Sequence, residues 1–191
     1  EMIHRACLDS GIQSRYVFIV DSMDPLRRVY DFLSPSYESY IGVPLANIPA
    51  PDENGEPDEE GGSYADFFLG PFLDALKQIG VEPEVVMNHL TYENGDFAEM
   101  IDSAITNREK IHEIIENVSG RDLPEDWFPY NPLGSNGSLD GVKVTGYEKP
   151  FVHWVDTTGA TGKSDIRLAE GKMPWRIDRA ARWAIHGVTC E

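Results

Sequence analysis

Two stretches of this chain carry residue types whose spacing suits chemistry. The first is Asp21-Ser22-Met23-Asp24-Pro25-Leu26-Arg27-Arg28, directly after the apolar run YVFIV of residues 16–20. In open α/β sheets, ligands bind beyond the carboxyl ends of the strands. Asp21 and Asp24 there could hold an amino group or ribose hydroxyls, and Arg27 a phosphate or carboxylate. The same residues also read as a capped helix start with a solvated charge pair, because Asp24-Pro25 is a cap followed by proline in the first helical position. The second stretch is KMPWRIDRAAR, residues 172–182. Trp175 stands where a strand or turn hands over to a helix, and its flat ring could wall an apolar or cationic stem. The alternative is that Trp175 and Trp183 are core residues.

A third candidate, Gly159-Ala160-Thr161-Gly162-Lys163-Ser164, resembles a phosphate-binding loop. That signature requires glycine at position 157, which is Thr157, and a helix to follow. The segment lies between strand-like runs, so a hairpin turn is the favoured reading. Metal chemistry has little to stand on. His4, His89, His112, His153 and His186 are scattered, and His89 with Glu93 is explained by a surface pair. No metal site is expected.

The elements that must position these residues can be read from periodicity. Residues 2–10 pattern as a helix closed by Gly11. Residues 16–20 suit a strand covered on both faces, and a helix is expected from Asp24-Pro25. The Pro-, Gly- and acid-rich stretch 34–62 reads as a long surface excursion. Ser63 then caps a helix carrying Phe67, Phe68, Phe72, Leu73, Leu76 and Ile79, with Pro71 kinking or dividing it and Gly80 ending it. Residues 84–87 form a second strand, which completes a βαβ unit and implies a parallel sheet. Asp96 caps a helical region to about residue 117. From 121 to 171, β-like runs at 142–147, 151–155 and 165–168 alternate with glycine turns, as in antiparallel hairpins inserted into an α/β body. A last helix follows, ended by Gly187.

Charge and composition narrow the partners. Against 16 basic residues stand 33 acidic ones, a formal net charge of −17, which repels phosphate backbones and acidic membrane surfaces in general. Six of the nine residues 52–60 are acidic, while Lys163, Arg167, Lys172, Arg176, Arg179 and Arg182 fall within twenty residues, so that end could still face a phosphate. Two cysteines, Cys7 and Cys190, imply no disulfide framework and favour a reducing compartment. No apolar run approaches the roughly 18 residues of a membrane span, and a cytoplasmic location is expected. The first residues open directly into a helical pattern and Cys190-Glu191 stops as a strand begins, as in an excised piece of something longer.

Five segments together resemble a known family. The residues 21–29, Asp-Ser-Met-Asp-Pro-Leu-Arg-Arg-Val, resemble the Asp-Pro-Leu-Arg-Lys-Val stretch of class I lysyl-tRNA synthetases. Ile41-Gly42-Val43-Pro44-Leu45 with Ile48-Pro49-Ala50-Pro51 is similar to the family's next loop, and Ser63-Tyr64-Ala65 to its Ser-Tyr-Ala helix start. Tyr92-Glu93-Asn94-Gly95-Asp96-Phe97 resembles its Tyr-x-x-Gly-x-Tyr element, and residues 171–178 its Lys-Leu-x-Trp-Arg-Val-Asp segment. The matches are collinear over nearly the whole chain.

The resemblance implies a partial Rossmann-type catalytic domain in residues 1–120, an inserted β-hairpin subdomain in 121–171, and a return to the catalytic domain in 172–191. It implies activation of lysine by ATP, with Mg2+ able to accompany the phosphates, and transfer to tRNA(Lys). Trp175 corresponds to a tryptophan lining the family's lysine pocket, while Asp21, Asp24 and Arg27 are placed on the adenylate side from strand-end geometry. The family's His-Ile-Gly-His-type and Lys-Met-Ser-Lys-Ser-type motifs are absent, and Pro132-Leu133-Gly134-Ser135-Asn136-Gly137 stands where many members carry cysteine pairs. Zinc is therefore not expected, nor is catalysis or tight tRNA binding by these residues alone. The alternative is a non-catalytic binding domain derived from such a synthetase.

Overall fold

A computed structural model describes residues 1–188, so the expected strand at Cys190-Glu191 lies outside the described residues. The chain divides into two compact units, Glu1–His89 and Leu90–Glu191.

The first unit opens with α1 (Met2–Asp9), and Gly11 follows it at φ +72°. Strand β1 (Val17–Val20) pairs in parallel with β4 (Glu84–Met87), from Val17 opposite Glu84 to Val20 opposite Met87. Between them lie β2 (Pro49–Pro51), β3 (Pro57–Ser63) and α2 (Tyr64–Gln78), so the crossover helix and parallel pairing are as expected. Ser63 Oγ accepts the Asp66 amide at 3.1 Å and caps α2. The helix runs through Pro71 without dividing. Strand β1 is half-buried throughout, rather than covered on both faces; Phe72 of α2 meets it at Phe18, with ring centroids 5.2 Å apart.

Two further expectations in this unit fail. No helix starts at Asp24-Pro25. Leu26 N–H donates to Val43 O and Leu26 O accepts from Gly42 N–H, both at 2.9 Å, and Pro25 bridges Pro44. Both backbone groups of Leu26 are thus consumed by a strand-like ladder, leaving none for helical bonds. The stretch 34–62 is likewise no loose excursion. It supplies Tyr37, Val43 and Ile48 to a core with Leu26, Leu33 and Tyr64, and the Tyr37 hydroxyl donates to Pro49 O at 2.9 Å. Its acidic part is the β2–β3 hairpin, whose turn is held by Asp52 accepting the Asn54 and Glu56 amides at 2.8 Å each. These donors hold the Asp52 carboxyl below its usual range.

The division between the units falls within α3 (Asn88–Glu93). The second unit continues with α4 (Ala98–Thr106) and α5 (Arg108–Ser119). The helical region expected to about 117 consists of these two helices, broken at Asn107, whose side chain donates back to Ser103 O at 2.8 Å. Asp96 is not the cap; the turn at Gly95, φ +78°, leads in and Ala98 N–H donates to Gly95 O.

After β5 (Asn131–Pro132) come β6 (Lys143–Glu148), β7 (Phe151–Val155) and β8 (Thr161–Asp165), an antiparallel sheet in that order. The third run expected at 165–168 is instead 161–165. Asp165 accepts the Arg167 amide and guanidinium, which turns the chain out of the strand. Residues 159–164 are the β7–β8 turn and strand, as the hairpin reading requires. Gly162 lies beneath Trp154, whose ring carbon would be 2.4 Å from an added Cβ. The glycine serves ring packing, not a phosphate cradle. Strand β9 (Gly171–Lys172) pairs with β5 and leads into α6 (Trp175–His186), with Gly187 at φ +66° closing the helix.

Candidate functional site

In the first unit, the parallel pairing of β1 and β4 sends their carboxyl ends the same way, so residues 21–24 adjoin Asn88 and His89. Ser22 is buried and knits the two ends. Its Oγ accepts the His89 amide at 3.1 Å and lies 2.9 Å from His89 Nδ1, the direction of that second bond following the imidazole tautomer. Ser22 O and Asp24 O accept the amides of Ala46 and Leu45 at 2.9 Å each. Met23 and Leu26 are buried on either side of Asp24. The backbone from 21 to 27 is therefore anchored while Asp21 and Arg27 are exposed and Asp24 half-buried. An exposed carboxylate and guanidinium on a fixed backbone can bind amino or hydroxyl donors and anionic oxygens respectively.

In the second unit the chemistry gathers at the start of α6. Asp178, in its first turn, is fully buried, accepts two side-chain hydrogen bonds and pairs with a nearby lysine. The Tyr92 hydroxyl donates to Oδ2 at 2.7 Å, Arg182 Nε donates to Oδ1, and Lys172 Nζ lies 3.9 Å from Oδ2. Tyr92 is itself buried and also accepts the Met173 amide at 3.0 Å. Burial, and secondarily the Asp178 charge, push the Tyr92 phenol well above its ordinary value, so its hydroxyl keeps its proton. Of the six basic residues gathered toward this end, Lys172 and Arg182 are thus turned inward to Asp178. Trp175 heads the helix 49% exposed, and Trp183 is 44% exposed, so neither is a core residue. The Arg179 guanidinium lies 5.1 Å from the Trp175 ring centroid, a cation–π contact within the helix itself.

Sequence reasoning singled out Asp21, Asp24, Arg27 and Trp175 as candidates but not the contacts beside them. The Ser22–His89 and Tyr92–Asp178 contacts join residues 67 and 86 positions apart, and no local pattern announces such pairs. A shallow hollow of about 340 Å³ lies elsewhere, on the β6–β8 sheet, lined by Thr145, His153, Trp154, Thr161, Gly162 and Lys163. Among the described residues, no group of three or more His, Cys, Asp or Glu side chains is arranged to hold a metal ion.

Over residues 1–191 the chain matches the family described as tRNA synthetases class I (K). It is 41% identical over 192 residues to a lysine–tRNA ligase of Thermoplasma acidophilum, covering 100% of this chain and 36% of that protein. A lysine–tRNA ligase of Picrophilus torridus is 39% identical over 192 residues, 100% of this chain and 37% of its own length. One from Archaeoglobus fulgidus is 38% identical, with 100% and 38% covered. The chain spans a little over a third of the length of these curated relatives. With the whole chain matched by the family and by relatives at this identity, it belongs to the class I (K) tRNA synthetases.

Proposed function

We propose that this chain is part of a lysine–tRNA ligase that activates lysine with ATP to lysyl-adenylate and passes it to tRNA(Lys). The observation that carries this reading is 35–41% identity, across the whole chain, to proteins named lysine–tRNA ligase. In this reading Trp175, 49% exposed at the head of α6, walls the aliphatic stem of lysine. Asp21, Asp24 and Arg27 stand on the adenylate side, at the carboxyl end of β1. ATP enters as substrate, Mg2+ with its phosphates, and zinc has no part.

The parallel β1–β4 pair supports a partial Rossmann-type domain over 1–120, resumed in 172–191, and the antiparallel β6–β8 sheet supports an insertion at 121–171. Cytoplasmic action belongs to the same proposal; no helix among the described residues is long and apolar enough to cross a membrane. Residues 1–191 alone do not activate lysine, because stabilising a developing adenylyl transition state needs positioned cationic and backbone donors. The family's two signature motifs that would supply them are not in this sequence.

Charging of tRNA(Lys) tests the reading. The full-length protein, given ATP, labelled lysine and tRNA(Lys), should form acid-precipitable lysyl-tRNA, and charging with a different amino acid instead would overturn the assignment. In the same protein Trp175→Ala should raise the lysine KM about tenfold, the scale of one lost apolar wall, with the ATP KM unchanged.

A further inference from the structure

We infer that Tyr92 is a positioning residue for the amino-acid pocket, stapling the β9–α6 turn on both sides of Trp175 through its hydroxyl. The inference rests on the reading that Trp175 walls that pocket.

The ring of Tyr92 is fixed first. It is 1% exposed and stacks on Phe97, with centroids 4.1 Å apart and planes 20° from parallel. Gly95 between them adopts φ +78°, and a Cβ there would stand 3.0 Å from Arg167 O. The Tyr-x-x-Gly-x-Phe spacing thus builds a rigid platform, closed at its turn against the chain leaving β8. A hydroxyl held on such a platform has one proton to give and lone pairs to receive. It gives the proton to Asp178 Oδ2 at 2.7 Å and receives the Met173 amide at 3.0 Å. Met173 and Asp178 flank residues 174–177, so one oxygen ties down both ends of the segment that carries Trp175.

Other restraints act on the flanks of the segment: β9 pairs with β5 as far as Lys172, and Met173 is buried. Trp175 is half exposed, so its placement is not set by burying the ring, and Pro174 donates no amide hydrogen bond. Within the segment, the Ile177 and Asp178 amides donate to Pro174 O at 2.9 and 3.0 Å, which shapes the turn without fixing it to the rest of the unit. Arg182 and Lys172 hold Asp178 from the other side, leaving the carboxylate with little room to follow a displaced partner. The Tyr92 phenol, pushed well above its ordinary value by burial, stays a donor across the physiological range. Tyr92 itself would touch no substrate.

Tyr92→Phe in the full-length protein removes the oxygen and keeps the ring. Lysine-dependent exchange of pyrophosphate into ATP should show a lysine KM raised about fivefold to tenfold, with the ATP KM within twofold of wild type. Residues acting as a unit are non-additive, so adding Tyr92→Phe to Trp175→Ala should raise the lysine KM no further. If Trp175→Ala raises the lysine KM and Tyr92→Phe does not, the positioning role is wrong and the pocket reading stands. Equal rises in lysine and ATP KM with Tyr92→Phe would mark a general structural role and also overturn it. If Trp175→Ala leaves the lysine KM unchanged, the pocket reading fails and the inference falls with it. Faster hydrogen exchange at the Met173 amide in Tyr92→Phe is the expected sign of the released turn, and unchanged exchange contradicts it.

Discussion

Asp178 receives Tyr92, Arg182 and Lys172 in a space closed to solvent. Truncating it would leave two buried cations without that carboxylate, and breaking a buried ion pair from one side costs about 3–5 kcal/mol. Asp178→Ala should therefore lower the thermal midpoint of the full-length protein by several degrees, whereas Arg176→Ala, on the exposed side of the same helix, should leave it nearly unchanged. A second residue-scale prediction concerns Tyr37, whose phenol burial pushes up to about 12. The unfolded phenol ionises near 10 while the folded one holds its proton, so above pH 10 the unfolded state binds fewer protons and stability falls. Melting temperature measured from pH 8 to 11.5 should decline above about 10, and the decline should be shallower in Tyr37→Phe. At this scale the sequence revealed where Trp175 stands, because a Pro-Trp pair before a helical stripe is a local signal. It did not reveal that Tyr92 holds the turn, because an 86-residue separation leaves no local trace.

Among the elements, α2 and β4 were legible for physical reasons that are local: Ser63 caps, Gly80 at φ +73° follows the helix end, and Val85-Val86-Met87 is a short apolar run. The Asp24-Pro25 helix was not, because what replaces it is a ladder to residues 42–43 that no window of neighbours contains. The stretch 34–62 misled for a related reason. Its polar composition describes its exposed side chains, while Tyr37 and Ile48 among them are buried. The glycines at 159 and 162 show the same conflict between motif and context. An added methyl at 162 would meet the Trp154 ring at 2.4 Å, so Gly162→Ala should lower thermal stability and leave the ATP KM of the full-length protein unchanged. A raised ATP KM at unaltered stability would restore the phosphate-loop reading.

For the molecule as a whole, local patterns could place the βαβ unit and the hairpins, but neither of the two compact units follows from periodicity alone. What identified the family was order: five short segments in the right sequence, each weak alone, spread across both units. A net charge of −17 opposes general attraction to nucleic acid, so the proposed function requires that tRNA be met by local groups or by parts of the protein outside these residues. The central claim is that the protein selects lysine. Exchange of labelled pyrophosphate into ATP by the full-length protein, run separately with each of the standard amino acids, measures that selection before any tRNA is involved. The account predicts exchange with lysine and only background with the others; exchange driven by glutamate, arginine or cysteine, with none by lysine, would contradict it.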